Sequence, residues 1–517
     1  MLKTLAALFL LLAANQQLWS QVFPREGSTV NYRRVGFSFP AQPKTVKYEL
    51  EIANGKFESE NEFGNKIINT TAAKTNKLIA EVPSFASEYT WRVVYTDAAS
   101  KRTNGKMYHF RTGYSPNIDT NINHVRVLMH TEKYSDACIF LDGTRAMYDM
   151  DGHPVWYLPN IVNGMTDNTQ IRDLKLTPEG TITFLLWDAK TPEVYEINYN
   201  GDVLWKAPNK GIVSGDSSEH FHHEFTRLGN GHYMTLGTED LLTKAPVELN
   251  LNLPARPGEK ARQTVLDTVY RTMPFGTLIE YDKHGKIVWS WKSSAYFKTS
   301  DIFYFGLANH LPEIDVHDNS FYFDEKAGVI YVSFKNISRI IKIKYPEGTV
   351  IKTYGEVFKP DAPEKGNGVF CDQHSCRISQ KGYLYLYNNN ICYPGNPPSE
   401  IVVLDEAASS SEELKKIWSY QCPVSIGHER AHPDLVARPE TTTGGNVLEL
   451  PDGSIFASEC NPYGNLFIVN MDKELLWHAL PEKKNPENRS WDPFPQYRAS
   501  IAVDPIQIEK LVLGHEK

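Results

Sequence analysis

Residues 147–158 read "MYDMDGHPVWYL", and this stretch decides the fold because variants of it recur along the 517-residue chain. Each copy has an apolar strand, an Asp or Asn, a turn that often holds glycine, and a second strand that ends near an aromatic residue. The other copies lie at 194–206 ("VYEINYNGDVLWK"), 278–291 ("LIEYDKHGKIVWSW"), 340–354 ("IIKIKYPEGTVIKTY"), 401–420 ("IVVLDEAASSSEELKKIWSY") and 466–480 ("LFIVNMDKELLWHAL"). A unit that recurs in this way indicates a repeat architecture.

A second series of hairpins lies between these copies, as in "LTPEGTITFLLW" at 176–187 and "SQKGYLYLY" at 379–387. Two hairpins per repeat give four strands per repeat, which is the make-up of a propeller blade. The pattern therefore predicts an all-β chain with a six-bladed β-propeller over residues 120–517. A seventh blade in the insertion at 243–265 is the alternative, and the segment at 497–513 is expected to supply the strand that closes the ring.

The N-terminal part predicts an exported protein with a separate small domain. In residues 1–20, Lys3 precedes an apolar run that is too short to span a bilayer, as in a secretory signal peptide. We therefore expect a periplasmic or secreted protein with no membrane partner. Residues 21–115 contain alternating segments at sandwich spacing, which predict an Ig/fibronectin-like β-sandwich.

Charge and cysteine content narrow the classes of function. The net charge of −8, without a basic patch, gives no reason to expect a nucleic-acid partner. The six cysteines include no CxxC pair, so a zinc–thiolate or redox role is not indicated. Their pairing stays open, and a small disulfide loop between Cys371 and Cys376 around His374 is one alternative.

Three histidine clusters lie where the inner strands of the repeats begin. His374 lies eight residues before the turn glycine Gly382, and His223 lies eight before Gly231. Because the innermost strand of each blade lines the channel of a propeller, we expect such residues to converge on one channel mouth. The residues so selected are His222 or His223, His317 and His374. Imidazole can be a nucleophile, an acid or base, or a metal ligand, and entry-loop histidines can also simply bond the main chain.

These motifs resemble the bacterial arylsulfate sulfotransferases, which do not use the usual nucleotide sulfate donor. The similarity covers about residues 21–510 and rests on "HH" at 222–223, the Asp-x-His-x-Asn-Ser string at Asp315–Ser320, and "QH" at 373–374. The resemblance implies a six-bladed propeller that carries a transient sulfohistidine. It also implies that His374 is the nucleophile.

The same resemblance implies the chemistry and the other site residues. A sulfuryl group would pass from a phenolic sulfate ester to a phenolic acceptor by ping-pong turnover, without a cofactor or metal. His317, Asn319 and His222 or His223 would contact the sulfuryl and phenolate oxygens. Lys335 stands where the family has Arg, so it keeps the charge but lacks the planar fork. The alternative for Lys335 is a strand residue whose side chain faces solvent. Thr443 corresponds to a substrate-contacting threonine of the family, but only in a loose alignment.

Two other classes of function stay open. A metal-dependent propeller lyase or hydrolase could use the same histidines as ligands, with Asp315 and Glu224 close by in sequence. A binding propeller without enzymatic activity is the third alternative. The Asn beside His317 and the lack of an obvious carboxylate-and-histidine ligand set favour the sulfotransferase. The oligomeric state is open, with a homodimer among the alternatives.

Overall fold

The computed structural model describes residues 22–187, 192–245, 269–297, 316–355, 369–391, 393, 397–406, 414–423, 426 and 440–514. Within these residues the chain is nearly all β, which confirms the predicted class. The α-helices among the described residues are α1 (Glu60–Gly64) and α2 (Pro505–Leu513). The expected signal peptide and most of the insertion at 243–265 lie outside the described residues.

The first eight strands form two sheets. They are β1 (Ser28–Val30), β2 (Arg34–Ser38), β3 (Thr45–Asn54), β4 (Ile67–Ala73), β5 (Lys77–Glu81), β6 (Glu88–Asp97), β7 (Arg102–Asn104) and β8 (Tyr108–Thr112). One sheet has the order β1-β8-β6-β3-β4 with β7 also on β6, and β2 pairs with β5 in the other. Phe37 of β2 meets Trp91 of β6 edge-on at 5.1 Å, so aromatic side chains fill the space between the sheets.

The rest of the described chain forms six sheets of at least four strands. The first has β10 (Cys138–Leu141), β11 (Ala146–Asp149), β12 (Pro154–Tyr157) and the C-terminal β34 (Ala499–Ala502). The second has β13 (Gln170–Leu176), β14 (Ile182–Trp187), β15 (Glu193–Ile197) and β16 (Val203–Lys206), and the third has β17 (His222–Arg227), β18 (Tyr233–Ala245), β19 (Val269–Tyr281) and β20 (Ile287–Lys292).

The remaining three sheets continue the same pattern. The fourth has β21 (Asp318–Asp324), β22 (Val329–Phe334), β23 (Arg339–Lys344) and β24 (Thr349–Gly355), and the fifth has β25 (His374–Ile378), β26 (Leu384–Asn388), β27 (Glu400–Asp405) and β28 (Lys415–Gln421). The sixth has β29 (Asn446–Glu449), β30 (Ile455–Ser458), β31 (Leu466–Val469), β32 (Leu475–Lys484) and β33 (Trp491–Pro493), with β9 (Asn123–Met129) also paired to β32.

One edge strand of each sheet contacts the corresponding strands of its neighbours. β13 contacts β34 and β17, β21 contacts β17 and β25, and β29 contacts β25 and β34. The series of contacts therefore returns to its start through β34. As expected from the sequence, the C-terminal segment supplies this strand, whereas residues 505–513 of the same segment form α2 rather than a strand.

The aromatic residues that end the repeats link successive sheets. Within the described ranges, five tryptophans donate the indole N–H to a main-chain oxygen in the outer turn of the next sheet: Trp156 to Tyr199 (2.7 Å), Trp289 to Pro346 (2.7 Å), Trp291 to Gly348 (3.0 Å), Trp418 to Met471 (2.8 Å) and Trp477 to Met150 (3.0 Å). The last of these joins the sixth sheet to the first. The repeat seen in the sequence is thus also a repeat of contacts between sheets.

The turn glycine of the opening motif is required by its surroundings. Gly152 has a φ of +84°, and a Cβ there would lie 2.3 Å from the carbonyl oxygen of Val125. Only glycine combines this left-handed backbone with so close an approach.

The two N-terminal sheets share one hydrophobic core with the first two sheets of the following part. Tyr32 stacks on Tyr199 at 4.3 Å, and Ile508 and Leu511 of α2 belong to the same cluster. Packing between the two parts is therefore continuous, which fixes their relative position. No helix in the described ranges is long and apolar enough to cross a bilayer.

We predict that Trp477→Ala lowers the free energy of unfolding by about 3–5 kcal/mol, because it empties a fully buried site and removes the bond that joins the sixth sheet to the first. Trp477→Phe should lose less, since it keeps most of the packing. Urea unfolding measures both. Val203→Ala at a 44 % exposed position is the control, with a change within about 0.5 kcal/mol. A loss below about 1 kcal/mol for Trp477→Ala would contradict the closing role.

Candidate active site

Bulges at the start of four inner strands orient the side chains that form the site. The pairing register shifts just after Arg172, His222, Asp318 and His374 in β13, β17, β21 and β25. A bulge bends the strand and changes the direction of the side chains beside it. The four strands therefore present polar side chains at equivalent positions of neighbouring sheets.

The structure brings His222, His223 and His317 together, although they come from two sheets. The Nδ1 atoms of His222 and His223 lie 2.7 Å apart, so one ring donates a proton to the other. The His223 and His317 rings meet edge-on at 5.1 Å, and both residues have a left-handed φ, of +59° and +52°. Burial, followed by the charges of His222, His317 and Arg172, lowers the pKa of His223 well below its usual 6.5. Its imidazole is thus neutral at pH 7.

His374 begins β25 and is buried. Its Nδ1 lies 2.6 Å from Oδ1 of Asn389 and 3.2 Å from the carbonyl oxygen of Asp372. Burial lowers the pKa of His374 well below 6.5, and Lys335, His317 and Arg498 lower it further, although the bond to Asn389 opposes them. The residue expected to be a nucleophile is therefore a neutral imidazole within reach of positive charge.

Lys335 lies in the turn that joins β22 to β23. It is half-buried, and its main-chain N–H donates to the carbonyl oxygen of His317 at 2.9 Å. Its charge acts on His374. The alternative of a solvent-facing strand residue is wrong, because the chain has already left β22 at this position.

Asn319 and Thr443, both expected to contact the substrate, differ in burial. Asn319 is fully buried, and its Nδ2 donates to the carbonyl oxygen of Gln373 at 2.8 Å, so one amide proton holds the main chain just before His374. Thr443 is exposed, and its main-chain N–H donates to the carbonyl oxygen of Asn461. The contact of Thr443 with a substrate stays a prediction.

The spacing argument missed Arg172, although the same rule selects it. Arg172 lies eight residues before Gly180, which is the spacing that picked out His223 and His374. Its guanidinium lies 4.1 Å from the ring centres of both Trp187 and Tyr497, so two aromatic faces hold it. A search restricted to histidine did not consider it.

Tyr497 had no signal in the sequence, because it comes from the C-terminal segment rather than from a repeat. Its ring centre lies 5.5 Å from that of His223, and its buried hydroxyl has no hydrogen-bond partner among the residues that the structure describes. Burial raises its pKa to about 12, so the phenol is neutral.

A buried cluster of charges lies beside the histidines. Glu224 pairs with Arg377 (2.5 Å), Arg498 (3.4 Å) and Lys175 (3.9 Å), and it accepts the main-chain N–H of Phe321 (3.0 Å). Burial alone would raise the pKa of Glu224, but the arginines hold it at about 2. The carboxylate is therefore charged and already engaged, which weighs against Glu224 as the metal ligand considered from the sequence. Asp315, the other carboxylate considered, lies outside the described residues.

A cavity of about 290 Å³ opens beside His222, His223 and His317. Its other walls are mostly apolar: Trp187, Pro192, Phe221, Pro274, Phe275 and Val316. Such a cavity can hold an aromatic ring with a polar substituent that faces the imidazoles. A larger cleft of about 670 Å³ beside α2 is lined by Glu196 and Arg227, which pair with each other at 3.0 Å, and by none of the described histidines.

The cysteines around His374 do not pair with each other. Cys371 is in a disulfide bond whose partner lies outside the described residues, whereas Cys376 is a free, buried thiol. The main-chain N–H of Cys376 donates to Oγ of Ser320, and burial raises the pKa of its thiol to about 11. The Cys371–Cys376 loop is therefore wrong, since β25 places Cys376 against the fourth sheet.

Among the described residues, no group of three or more His, Cys, Asp or Glu side chains has a spacing that could hold a metal ion.

The chain belongs to the arylsulfotransferase (ASST) family, which matches residues 126–412. This match includes His222, His223, His317, Lys335 and His374, and it confirms the resemblance found in the sequence. Membership of this family indicates that the protein is a sulfotransferase enzyme. A comparison with curated proteins finds none that matches this chain.

Comparison with solved structures gives only distant similarity. A protein of unknown function from Bacteroides caccae is 12 % identical, covers 74 % of this chain and 100 % of its own, and has a TM-score of 0.39. A protein from Lactobacillus plantarum is 10 % identical, covers 88 % of this chain and 99 % of its own, and has a TM-score of 0.31. Neither likeness identifies a function.

We predict that Glu224→Gln lowers the free energy of unfolding at pH 7 by about 3–5 kcal/mol, because it removes the buried carboxylate that pairs with Arg377 and one of the two that pair with Arg498. The folded pKa of about 2 is below the usual 4.5, so this contribution is present above pH 4.5 and is lost as the pH falls from 4.5 towards 2. The stability difference between wild type and variant should therefore shrink over that range in urea titrations. Glu347→Gln, which breaks a half-exposed pair with Lys344, is the control and should change little. A difference that is independent of pH would contradict the assignment.

Proposed function

We propose that this protein transfers a sulfuryl group from a phenolic sulfate ester to a phenolic acceptor through a sulfohistidine on His374. The observation that carries the proposal is the state of His374, a buried imidazole kept neutral beside the positive charges of Lys335 and Arg498. A neutral imidazole has the lone pair that a nucleophile needs, and nearby cations favour the approach of an anionic sulfate ester. Membership of the arylsulfotransferase family supports the same reaction.

In the first half-reaction, an imidazole nitrogen of His374 attacks the sulfur of the donor. The nitrogen–sulfur bond forms while the bond from sulfur to the phenolic oxygen breaks, and the electron pair of that bond leaves with the phenolate. The phenolate takes a proton from an imidazolium in the His222–His223–His317 group; His222 rather than His223 would hold this proton, because the charge of His222 lowers the pKa of His223 and the two rings are in direct contact.

In the second half-reaction, the acceptor phenol replaces the product. The same histidine group takes the proton from its hydroxyl, and the phenolic oxygen attacks the sulfur. The nitrogen–sulfur bond then breaks and its electron pair returns to His374, which restores the resting enzyme. This ping-pong cycle needs no cofactor.

Lys335, Arg172 and Asn319 are proposed to stabilise the charge on the sulfuryl oxygens. Arg172 lies near the start of β13, Asn319 lies near the start of β21, and Lys335 lies in the turn between β22 and β23. All three are therefore at the same end of their sheets. The family position of Lys335 carries Arg, so a single ammonium would replace a bidentate contact here. Arg172 offers a guanidinium held between Trp187 and Tyr497, which could take over planar recognition.

The apolar walls of the cavity support an aromatic substrate. Trp187 and Phe275 line the cavity that His222 and His317 also line, so a phenol ring could lie against them with its oxygen at the imidazoles. Both donor and acceptor would use this cavity in turn, as ping-pong turnover requires.

The finer features of the architecture belong to the same proposal. We propose that the six sheets are the blades of a six-bladed β-propeller, supported by the sequence of contacts that returns through β34. Residues 21–115 would form the Ig/fibronectin-like sandwich, and residues 1–20 would direct export to the periplasm or beyond. A homodimer is a further expectation.

The decisive experiment incubates the protein with 4-nitrophenyl sulfate and phenol in the presence of a chelator. Wild type should release 4-nitrophenolate and form phenyl sulfate, whereas His374→Ala should lose at least about 10³-fold in kcat/KM because the nucleophile is gone. Without acceptor, wild type should gain the mass of one sulfuryl group per chain. Loss of wild-type activity on chelation would favour a metal enzyme, and full activity of the variant would refute His374 as the nucleophile.

We predict that Lys335→Met lowers kcat/KM for 4-nitrophenyl sulfate by about 10²-fold, because one fixed positive charge on the sulfuryl group is lost. Lys335→Arg should retain most of the activity. The pH profile gives a second readout: the low pKa of His374 places the acidic limb of the wild-type profile below pH 6.5, and removal of the Lys335 charge should move that limb to higher pH. An unchanged limb in Lys335→Met would contradict the contact with His374.

A further inference from the structure

We propose that Asn389 is the positioning residue for the nucleophile: its amide holds the His374 ring with the proton on Nδ1, which leaves the lone pair on Nε2. The kinetic consequence rests on the function proposed above, but the position of the proton does not. Asn389 follows directly after β26, is fully buried, and lies outside every motif noted in the sequence.

The orientation of the Asn389 amide follows from contacts on its far side. Its Nδ2 donates to the carbonyl oxygens of Thr442 (2.7 Å) and Gly444 (2.8 Å). Main-chain carbonyls can only accept, so a flipped amide would place Oδ1 against two oxygens and would lose both bonds. Oδ1 must therefore face His374.

The orientation of Asn389 in turn decides which nitrogen of His374 carries the proton. Nδ1 faces two acceptors, Oδ1 of Asn389 at 2.6 Å and the carbonyl oxygen of Asp372 at 3.2 Å. An unprotonated Nδ1 would repel both oxygens. In a neutral imidazole the proton thus lies on Nδ1, and Nε2 keeps the lone pair that forms the bond to sulfur.

The segment that holds Asn389 is itself tightly bonded. Oγ of Ser399 donates to the carbonyl oxygen of Asn389 (3.2 Å) and accepts the main-chain N–H of Thr442 (2.9 Å). Oγ1 of Thr442 meets the hydroxyl of Tyr387 at 2.7 Å. The amide of Asn389 is therefore fixed by residues that follow β26 and by residues that precede β27 and β29. The His374 ring cannot rotate without losing its bonds to this segment and to Asp372.

An amide suits this role better than a carboxylate would. A carboxylate on Nδ1 would stabilise the imidazolium and raise the pKa of His374, which would remove the lone pair needed for attack. An amide oxygen accepts the same proton without a net charge. When the nitrogen–sulfur bond forms on Nε2, the proton stays on Nδ1 of His374, which donates it to Oδ1 of Asn389, and when that bond breaks the electron pair returns to Nε2.

The first test reads the proton directly in the resting full-length protein. Selective 15N-histidine labelling gives the two ring nitrogens of His374, assigned by their absence in His374→Gln. We expect a protonated Nδ1 and an unprotonated Nε2 at pH 7. A proton on Nε2 would overturn the proposal. Because no turnover is involved, this measurement decides the role of Asn389 even if the protein transfers no sulfuryl group, in which case the proposed function alone fails.

The second test uses 4-nitrophenyl sulfate and phenol with two variants and a matched control. Asn389→Leu should lower kcat on the order of 10²-fold while KM for the donor changes less than threefold, because the ring is misoriented but the substrate contacts remain. Asn389→Asp should move the acidic limb of the kcat/KM profile to higher pH. Asn390→Gly removes the neighbouring amide, whose Nδ2 bonds Pro398, and should stay within threefold of wild type.

The outcomes separate positioning from general damage. If Asn389→Leu keeps kcat within twofold, or loses activity only through KM, the proposal is wrong. If that variant does not fold, the nitrogen shifts of the wild type and the pH profile of Asn389→Asp decide instead, and an acidic limb unchanged in Asn389→Asp counts against it.

Discussion

The carboxylate of Glu224 is the contact on which the centre of the molecule depends. Its partners come from β13, β21, β25 and the residue before β34, so together with its own β17 it joins strands of five sheets. A buried carboxylate without partners would cost several kcal/mol, and here the carboxylate of Glu224 in turn balances the charge of the buried Arg377. Arg498 extends the cluster to Asp173 (3.1 Å) and to the carbonyl oxygen of Asn319 (2.6 Å). The strands that carry the histidines are held in place by these bonds.

The same positive charges set the protonation of the histidines. Burial and Arg498 lower the pKa values of both His223 and His374, with Arg172 acting on the first and Lys335 on the second. Neutral rings and fixed cations therefore occupy one site. This combination suits an anionic ester that must be attacked by a neutral nucleophile, because the cations balance the ester while the rings keep their lone pairs.

Several residues of the candidate site could be predicted because each repeat has the same spacing between its turn glycine and the start of its inner strand. Turn glycines mark the hairpins, and counting back from them selected His374 and either His222 or His223. The bulges of β17 and β25 lie just after His222 and His374, so these two residues occupy the equivalent positions. The same count would have found Arg172. Tyr497 could not be found in this way, because it comes from a segment outside the repeats. The Cys371–Cys376 pairing failed because closeness in sequence does not decide which way a strand directs its side chains.

By itself the sequence determined the repeated hairpins, the aromatic residues that end them, and the histidines at the starts of inner strands. These features depend on alternation and turn chemistry over a few residues. Only the tertiary structure decided which residues meet: Glu224 with Arg498, Arg172 with Tyr497, and Asn389 with the loop at 442–444. Burial and charge act through space between residues that are far apart in the chain, so the protonation of His374 could follow only from the folded arrangement.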